Sequence, residues 1–348
     1  MKPLLKCELN YFPSVHLKQI YTGFLILKKL GIIELIIKPS SENNTKPILK
    51  VIINNKFEVI YDALDGLNWI DAPIEDNLSY FNKNIKADFY FKRSYNKQVF
   101  DNAPQNCKVY PLGLNYPIEP QDKLSSSVKE MTIDLLKKNY LTSKFYKKFS
   151  FYKTDFEYYP IPNKLNKILF VTQLYNPEQT SLDHLKAERS LMNQNRINCI
   201  KSCQKIFGKQ FSGGLVANDY TLKHAKDLII PSVFSKKEIF LNSIKNHDIC
   251  IATTGLHDSI GWKFGEYVAA SRAIVTEPLL YELPGEFVIN KNYLNYNNEN
   301  QLIKNINTLL ENKDKLFEMM NNNFKYYNNY LSPEKLVLNT LIKVYQNI

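Results

Sequence analysis

Residues 247–278 constrain the fold of this chain most, because one uninterrupted run predicts a strand, a loop, a helix and a second strand. Residues 248–253 form a short apolar run typical of a buried strand, and residues 254–261 contain the residue types of a turn. Apolar residues then recur at helical spacing until a second strand begins at Ala273. Ligands of open α/β sheets bind outside the carboxyl ends of such strands, so we expect the functional site in this loop.

The rest of the chain repeats the alternation of strands and helices, which predicts doubly wound sheets. Strands are predicted at residues 4–9, 32–37, 49–53, 57–60, 87–91, 108–112, 167–172, 211–216 and 286–289, with a hairpin turn at Asn54 and Asn55. Helices are predicted at residues 17–30, 181–207 and 235–244, with three more between 299 and 348. We therefore predict an α/β protein with two Rossmann-like domains facing each other across a cleft, and a helical C-terminal tail.

The length of 348 residues and the hydrophobic content of 44% allow a sizeable core divided between two domains. A proline-bearing segment near residue 160 marks the expected boundary. We assign residues 1–160 to the first domain, including a basic, aromatic and helical segment at 121–160. Residues 161–348 form the second domain, to which we assign the C-terminal helices.

No apolar run approaches the roughly 18 to 20 residues that span a bilayer, and the amino terminus lacks the pattern of a signal peptide. We therefore expect a cytoplasmic protein. The five cysteines are scattered, which is typical of reduced core residues and not of a disulfide framework or a metal site.

The net charge of +11 comes almost entirely from lysine, in a chain that is also rich in asparagine, isoleucine and tyrosine. Such a composition is weak evidence for nucleic acid, and we expect no nucleic-acid partner. Lysines gather with aromatic residues at 123–153, which is compatible with an anionic membrane surface or with a solvated helical face. A basic, non-enzymatic protein that binds polyanions remains an alternative.

Arginine is scarce, so each arginine is a candidate for a site that needs a fixed bidentate donor for phosphate or carboxylate. The four arginines are Arg93, Arg189, Arg196 and Arg272.

Residues 258–266 read DSIGWKFGE and are followed by YVAASRAIVTEP. This pattern resembles the signature of GT-B glycosyltransferases, especially the retaining group 1 families with a Glu-x7-Glu motif. Asp258 stands where the family has its first glutamate, and residues 271–273 replace the usual Gly-Lys-Pro turn. The resemblance implies a GT-B fold and transfer of a sugar from a nucleotide-sugar donor to a glycan or lipid-linked acceptor in surface polysaccharide or glycoconjugate biosynthesis. Retention of the anomeric configuration is implied, with inversion as the alternative.

The same loop and helix suit a nucleotide-sugar chemically. The Glu266 carboxylate can accept hydrogen bonds from both ribose hydroxyls, and backbone N–H groups of residues 255–261 can meet the diphosphate at a helix amino terminus. We expect Lys263 to offset charge on the leaving diphosphate, and the resemblance implies that Asp258 faces the sugar. The alternative is that Asp258 and Glu266 are an ordinary helix-cap residue and a surface acid.

Further donor-binding residues are expected around this pair. Arg189 and Arg196 are seven residues apart and so lie near one helical face, where similar enzymes place cationic diphosphate contacts. A solvated helix face is the alternative for both arginines, and a structural role is the alternative for His257. The predicted donor-binding residues are Gly255, His257, Ser259, Gly261, Arg189, Arg196 and Glu266.

In the first domain, the loop 10–16 follows the first strand, and we expect Asn10 and His16 to approach the acceptor or the diphosphate. Asp65 is the candidate base should the reaction prove inverting. A turn made by Asp65 and Gly66 is the alternative.

Missing motifs narrow the possible functions. The sequence contains no Asp-x-Asp pair, so we expect no metal and a metal-independent reaction. It contains no Gly-x-Gly-x-x-Gly after the opening strands, no P-loop and no Gly-x-Ser-x-Gly elbow. Dinucleotide oxidoreductases, P-loop NTPases and serine hydrolases are therefore disfavoured, and we expect no cofactor.

Overall fold

A computed structural model describes residues 5–40, 46–121, 150–163 and 167–347. Most of the basic, aromatic segment predicted at 121–160 falls at 122–149. The predictions of its helical structure and its membrane contact therefore lie outside the described residues.

Eleven strands are present in the described residues: β1 (Leu5–Tyr11), β2 (Ile33–Pro39), β3 (Ile48–Ile53), β4 (Phe57–Asp62), β5 (Phe89–Lys92), β6 (Lys108–Pro111), β7 (Ile168–Thr172), β8 (Phe211–Leu215), β9 (Ile249–Ala252), β10 (Ala273–Thr276) and β11 (Leu294–Asn295). The α-helices described are α1 (Lys18–Lys29), α2 (Ile74–Asn84), α3 (Lys97–Asp101), α4 (Lys153–Phe156), α5 (Asp183–Phe207), α6 (Asp219–His224), α7 (Lys237–Lys245), α8 (Trp262–Ala269), α9 (Glu299–Glu311), α10 (Lys313–Tyr326) and α11 (Pro333–Tyr345).

The chain divides into two compact units. The first comprises Met1–Phe156, Tyr281–Gly285 and Asn328–Ile348, and the second comprises Glu157–Leu280 and Glu286–Tyr327. Each unit contains one sheet, so the prediction of two Rossmann-like α/β sheets with helices at the C-terminus is confirmed.

The first sheet has six strands in the order β2-β1-β3-β4-β5-β6. Strand β3 runs antiparallel to both of its neighbours, β1 and β4, while the remaining pairs are parallel. The predicted hairpin joins β3 to β4, and Asn54 and Asn55 adopt φ values of 53° and 56° in its turn. Asparagine tolerates this left-handed region better than most residues, which explains the pair at this turn.

The second sheet has five strands in the order β11-β10-β9-β7-β8, and all the pairs are parallel. Strands β7, β9 and β10 are buried along their whole length, as expected for a parallel sheet covered by helices on both faces. The order reverses at β7, which lies between β8 and β9.

Helix α11 belongs to the first unit, whereas we predicted all the C-terminal helices in the second domain. Its Leu336, Val337, Leu341 and Val344 join the core formed by β1, β3 and α1. The two helices approach closely at Gly23 of α1, where an added Cβ would lie 2.2 Å from the Pro333 carbonyl oxygen. Only glycine therefore fits this crossing without a shift of the backbone.

Two local predictions were wrong. Residues 286–289 form no strand, because Ile289 makes only a single bridge to Tyr293. Asn10 lies within β1, paired with Lys38 of β2, and not in the loop that follows the strand. Polar residues at the end of a strand do not end it while a neighbouring strand continues the hydrogen bonds.

Arg272 is fully buried and binds backbone instead of an anion site. Its guanidinium donates hydrogen bonds to the carbonyl oxygens of Ala270 at 2.7 Å and Tyr159 at 2.5 Å, and stacks on the Tyr158 ring. The Asp248 carboxylate lies 3.9 Å away. Arg272 thus fixes the segment that enters the second unit. This rare arginine therefore has a structural role and does not bind a ligand.

All five cysteines are buried thiols. Burial raises the pKa of Cys7 and Cys107 to about 12 and that of Cys199 to about 11, so these groups stay protonated at neutral pH.

Candidate active site

The candidate site lies at the carboxyl ends of β7 and β9, where the strand order of the second sheet reverses. The loop 253–261 connects β9 to α8 and carries most of the predicted donor-binding residues. Parallel α/β sheets bind ligands at this position because the loops on either side of the reversal part and leave a crevice.

The loop folds into a compact turn. The Gly255 N–H donates to the Ser259 carbonyl oxygen at 2.7 Å, and an added Cβ at Gly255 would lie 2.8 Å from Ser259 Oγ. His257 and Asp258 both adopt left-handed backbone conformations, with φ of 57° and 56°. Two consecutive non-glycine residues in this region are costly, which is typical of a loop shaped for a ligand.

Arg196 fixes the loops from inside the protein. It is 4% exposed, and its Nε, Nη1 and Nη2 donate to Thr253 Oγ1 at 3.0 Å, the Gln173 carbonyl oxygen at 2.6 Å and the Thr254 carbonyl oxygen at 2.8 Å. The loops after β7 and β9 are therefore held together by one side chain. This geometry makes Arg196 a positioning residue for the site.

Arg189 lies two turns earlier on α5. Its Nη1 donates to the Asn176 carbonyl oxygen at 2.9 Å, while its buried Nε has no hydrogen-bond partner among the described residues. The two predicted arginines thus differ, because Arg189 has a buried donor without a partner among the described residues, while Nε, Nη1 and Nη2 of Arg196 all donate hydrogen bonds.

Glu266 is the most unusual side chain of the site. It lies on α8, is 1% exposed, and its Oε1 accepts a hydrogen bond from Lys237 Nζ at 2.5 Å. Its Oε2 is buried and has no hydrogen-bond partner among the described residues. A buried carboxylate oxygen without a partner is destabilising, so this atom is poised for a hydroxyl or N–H group that the protein itself does not supply.

Lys263 lies one helical turn before Glu266. Its Nζ donates to the Val171 carbonyl oxygen at 2.6 Å, at the end of β7, and lies 5.3 Å from the centre of the Phe240 ring. Burial lowers the pKa of Lys263 to about 8, against the raising effect of the Glu266 carboxylate, and the Arg196 and Lys237 charges lower it further. An anion bound here would raise this pKa again.

The amino terminus of α8 faces open space. Gly261 precedes the helix and has no side chain to cap it, and an added Cβ there would meet nothing within 4 Å. The first turn contains no acidic residue. The partial positive charge of a helix amino terminus therefore coincides with Lys263, which favours an anionic group such as a phosphate.

Carboxylates surround the tip of the loop. Glu188 of α5 accepts a hydrogen bond from the His257 N–H at 2.6 Å, and Asp258 is exposed. Partial burial raises the pKa of Asp258, an effect that His257 opposes and Glu277 supports. Partial burial also raises the pKa of Glu188. Acidic groups of this kind suit the hydroxyls of a sugar, which can donate hydrogen bonds to them.

Sequence reasoning missed Lys237, Glu188 and Glu277. Glu277 directly follows β10, so the rule that places functional residues after parallel strands was sufficient to find it. Lys237 reaches Glu266 from α7, a different helix 29 residues earlier, and no local pattern signals that pairing.

Two of the predicted residues of the first unit, His16 and Asp65, lie together after the carboxyl ends of β1 and β4, beside Arg93, which follows β5. The Asp65 carboxylate pairs with the guanidinium of Arg93, which is 5% exposed. Burial lowers the pKa of His16, with Asp65 opposing and Arg93 supporting the shift. His16 therefore lies beside the ion pair of Asp65 and Arg93 in one polar cluster, next to the turn at Gly66, which has a φ of 61°.

Asp62 belongs to the core beneath that cluster and is fully buried. Its carboxylate accepts hydrogen bonds from Trp69 Nε1 at 2.8 Å and the Tyr90 hydroxyl at 2.5 Å, and Lys92 Nζ lies 3.3 Å away. This satisfied network explains Asp62 without a ligand.

The described ranges contain no group of three or more histidine, cysteine, aspartate or glutamate residues arranged to hold a metal ion. In the same part of the chain, none of the helices combines the length and the apolar character needed to span a membrane.

No protein-family model matches the sequence, and no curated protein matches it. Solved structures do match. The chain is similar to Anabaena Alr3699/HepE in complex with UDP, with 12% identity, a TM-score of 0.42, and coverage of 83% of this chain and 72% of that chain. It is similar to the sucrose-phosphate synthase of Thermosynechococcus elongatus, with 11% identity, a TM-score of 0.44, and coverage of 82% and 66%.

A third similar structure is the C-terminal domain of the glycosyl transferase group 1 family protein LpcC from Francisella tularensis. The identity is 13% and the TM-score 0.34, and the match covers 51% of this chain and 95% of that chain. The likeness is one of fold.

Proposed function

We propose that this protein is a glycosyltransferase that transfers a sugar from a nucleotide-sugar bound at the carboxyl end of its second sheet. The observation that carries the proposal is the Glu266 carboxylate, which is buried with one oxygen held by Lys237 and the other without a partner among the described residues. A ribose presents two adjacent hydroxyls, and such a pair can donate to this carboxylate.

The groups around Glu266 match the rest of the donor. The diphosphate binds at the amino terminus of α8, where Lys263 adds a positive charge. The sugar lies toward the exposed Asp258, whose carboxylate accepts hydrogen bonds from its hydroxyls. Asp258 and Glu266 thus have different roles, set by exposure on a loop and burial on a helix.

The transfer breaks the bond between the anomeric carbon and the diphosphate oxygen and forms a bond from that carbon to an acceptor oxygen. We propose retention, in which the acceptor hydroxyl attacks from the face that the diphosphate leaves and gives its proton to the departing phosphate oxygen. The helix terminus and Lys263 stabilise the charge that develops on the diphosphate, so the reaction needs no metal ion.

We propose a glycan or lipid-linked acceptor, bound in the first unit beside the cluster of His16, Asp65 and Arg93. The Asp65 carboxylate, which is the candidate base of an inverting reaction, is paired with Arg93, and this pairing supports retention. The setting that we propose is polysaccharide or glycoconjugate assembly on the cytoplasmic side of the membrane.

Thermal-shift and calorimetric titration with UDP-, GDP-, CMP- and dTDP-linked sugars tests the proposal. One nucleotide-sugar should stabilise the protein and bind specifically, and Glu266→Ala should abolish both binding and transfer. Losing hydrogen bonds to a charged group costs about 1.5–3 kcal/mol each. Glu318→Ala, at an exposed position of α10, is the matched control and should bind normally.

Glu266→Gln keeps the size of the side chain and shows whether the carboxylate itself is needed if the alanine variant folds poorly. Near-normal transfer in both Glu266→Ala and Lys263→Ala contradicts the proposal. Absence of nucleotide-sugar binding, together with salt-dependent binding of polyanions, favours the non-enzymatic alternative. Nuclear magnetic resonance of the first-formed product distinguishes retention from inversion.

A further inference from the structure

A cavity of about 440 Å³ opens in the second unit between α5 and α9, beside the ends of β9 and β10. Pockets that bind small ligands have volumes of about 300–1,000 Å³, so this cavity is large enough for one. Neither Glu266 nor Lys263 lines it. It is therefore separate from the groups proposed to bind the ribose and the diphosphate.

Carboxylates and amides form much of the cavity lining. Glu277 accepts hydrogen bonds from the Thr254 N–H at 2.7 Å and from Asn195 Nδ2 at 3.1 Å, and Glu299 accepts one from the Ser202 hydroxyl. Asn198 contributes a further amide. Lysine, arginine and histidine are absent from the described residues that line the cavity, so it is unsuited to a phosphate or another anion.

The lining also contains apolar groups. Pro278 and Leu280 line the cavity, and Leu280 is 54% exposed; the buried Tyr296 lines it too, with its hydroxyl 3.4 Å from Cys199 Sγ. A sugar ring has the same division, because its C–H groups form apolar faces while its hydroxyls both donate and accept hydrogen bonds. Amides and carboxylates match such hydroxyls without requiring a charge on the ligand.

We propose that this cavity binds a neutral carbohydrate unit. A metal ion is disfavoured, because Glu277 and Glu299 belong to no group of three or more histidine, cysteine, aspartate or glutamate side chains arranged to hold one in the described residues. The binding does not depend on the proposed transfer reaction, so the two can be tested apart.

Glu277 connects the cavity to the loop of the candidate active site. Its carboxylate also accepts from the Thr254 hydroxyl at 2.9 Å, and Thr254 directly precedes Gly255. A sugar hydroxyl that donates to Glu277 completes a network running from the cavity to this loop.

Saturation-transfer NMR with glucose, galactose, N-acetylglucosamine and maltose at millimolar concentration tests the proposal. At least one of these sugars should receive magnetisation from the protein. Leu280→Trp narrows the mouth of the cavity, and Asn198→Leu replaces an amide by an apolar group of similar size. Each variant should weaken sugar binding by about ten-fold or more. Asn198→Leu removes one or two hydrogen bonds to the sugar, and Leu280→Trp restricts its entry into the cavity.

Gln204→Leu is the matched control, because Gln204 is an exposed amide on the same helix and lies outside the cavity. Binding should persist in Gln204→Leu and in Glu266→Ala, and saturating UDP should leave it unchanged. The proposal is overturned if none of the four sugars receives magnetisation from the protein. It is also overturned if the magnetisation transfer persists in both Leu280→Trp and Asn198→Leu. Loss of sugar binding in Glu266→Ala also overturns it, because the sugar would then occupy the donor site.

Failure of this proposal and failure of the proposed function give different results. If the cavity binds no sugar, nucleotide-sugar binding is still observed. If the protein is not a glycosyltransferase, binding of free sugars in the cavity is still observed. Melting temperatures of the two cavity variants show whether either is misfolded. Because the two substitutions alter different residues of the lining, a folding defect in one leaves the other informative.

Discussion

At the scale of single residues, the candidate site is formed by a small number of charged side chains that are buried together. Glu266 and Lys263 were predicted from the motif, and the structure brings them together with Lys237, which the sequence did not signal. A lysine is unremarkable in a chain with 45 lysine and arginine residues. Its pairing with Glu266 depends on the packing of α7 against α8, and packing of this kind is not visible in local sequence.

Arginine shows where reasoning from scarcity fails. Arg272 and Arg196 both donate hydrogen bonds to backbone carbonyl oxygens, in buried turns where several such groups converge. A guanidinium presents five donors in a fixed plane, so it can satisfy several carbonyls at once, which lysine cannot do. The scarcity of arginine therefore predicted sites where one side chain makes several hydrogen bonds. Only the structure shows that the acceptors are backbone carbonyl oxygens and not a phosphate or a carboxylate.

The lowered pKa of Lys263 predicts how donor affinity changes with pH. In the free protein, burial holds this pKa at about 8, so the side chain loses its charge as the pH rises through that value. A bound diphosphate favours the charged form, so binding above about pH 8 must take up a proton. The logarithm of the association constant for the donor should therefore fall toward a slope of about −1 per pH unit above pH 8.

Calorimetric titration in buffers with different ionisation enthalpies measures this proton uptake directly. Lys263→Met should lower affinity at pH 7 by about 1.5–3 kcal/mol and remove the slope above pH 8. Lys325→Met, at an exposed position of α10, should leave both unchanged. An unchanged slope in Lys263→Met would show that another group takes up the proton.

At the scale of elements, the buried parallel strands were the easiest to predict. Strands β7, β9 and β10 are short runs buried on both faces, and such runs are apolar at every position. The insertion of β3 between β1 and β4 was not predictable, because a strand pattern reveals which face is buried and not which neighbours it pairs with. Helix α2 was also missed.

Gly23 is the position where element packing is most sensitive to substitution. Gly23→Ala places a methyl group 2.2 Å from the Pro333 carbonyl oxygen and 2.5 Å from a Val337 methyl group, so α1 and α11 must separate. We expect the substitution to lower the free energy of unfolding by about 1–3 kcal/mol, the usual cost of overpacking a core. Chemical denaturation followed by circular dichroism measures this difference.

Alanine normally stabilises a helix relative to glycine, by about 1 kcal/mol, so the expected sign is opposite to that of helix propensity. Lys28→Ala, at an exposed position of α1, is the matched control and should change stability by less than about 0.5 kcal/mol. A stabilising effect of Gly23→Ala would mean that the two helices are not in tight contact at this residue.

At the scale of the whole molecule, the chain returns to its first unit after completing the second. Helices α9 and α10 belong to the second unit, and α11 belongs to the first. The sequence predicted three C-terminal helices, yet an amphipathic helix reveals its own apolar face and not the surface that the face covers. Assignment of α11 to a unit therefore required the structure.

The path of the chain predicts that deleting residues 333–348 acts on one unit only. The deletion removes four buried apolar side chains, Leu336, Val337, Leu341 and Val344, each worth about 1.5–3 kcal/mol. Their sum is comparable to the whole stability of a typical domain, about 5–15 kcal/mol, so the first unit should lose its cooperative fold. Hydrogen exchange read by mass spectrometry should show lost protection in β1 and β3, with β7 and β9 still protected.

A shorter deletion of residues 346–348, which follow α11, should preserve protection in both sheets. Protection of β1 and β3 that survives the longer deletion would show that the first unit folds without α11.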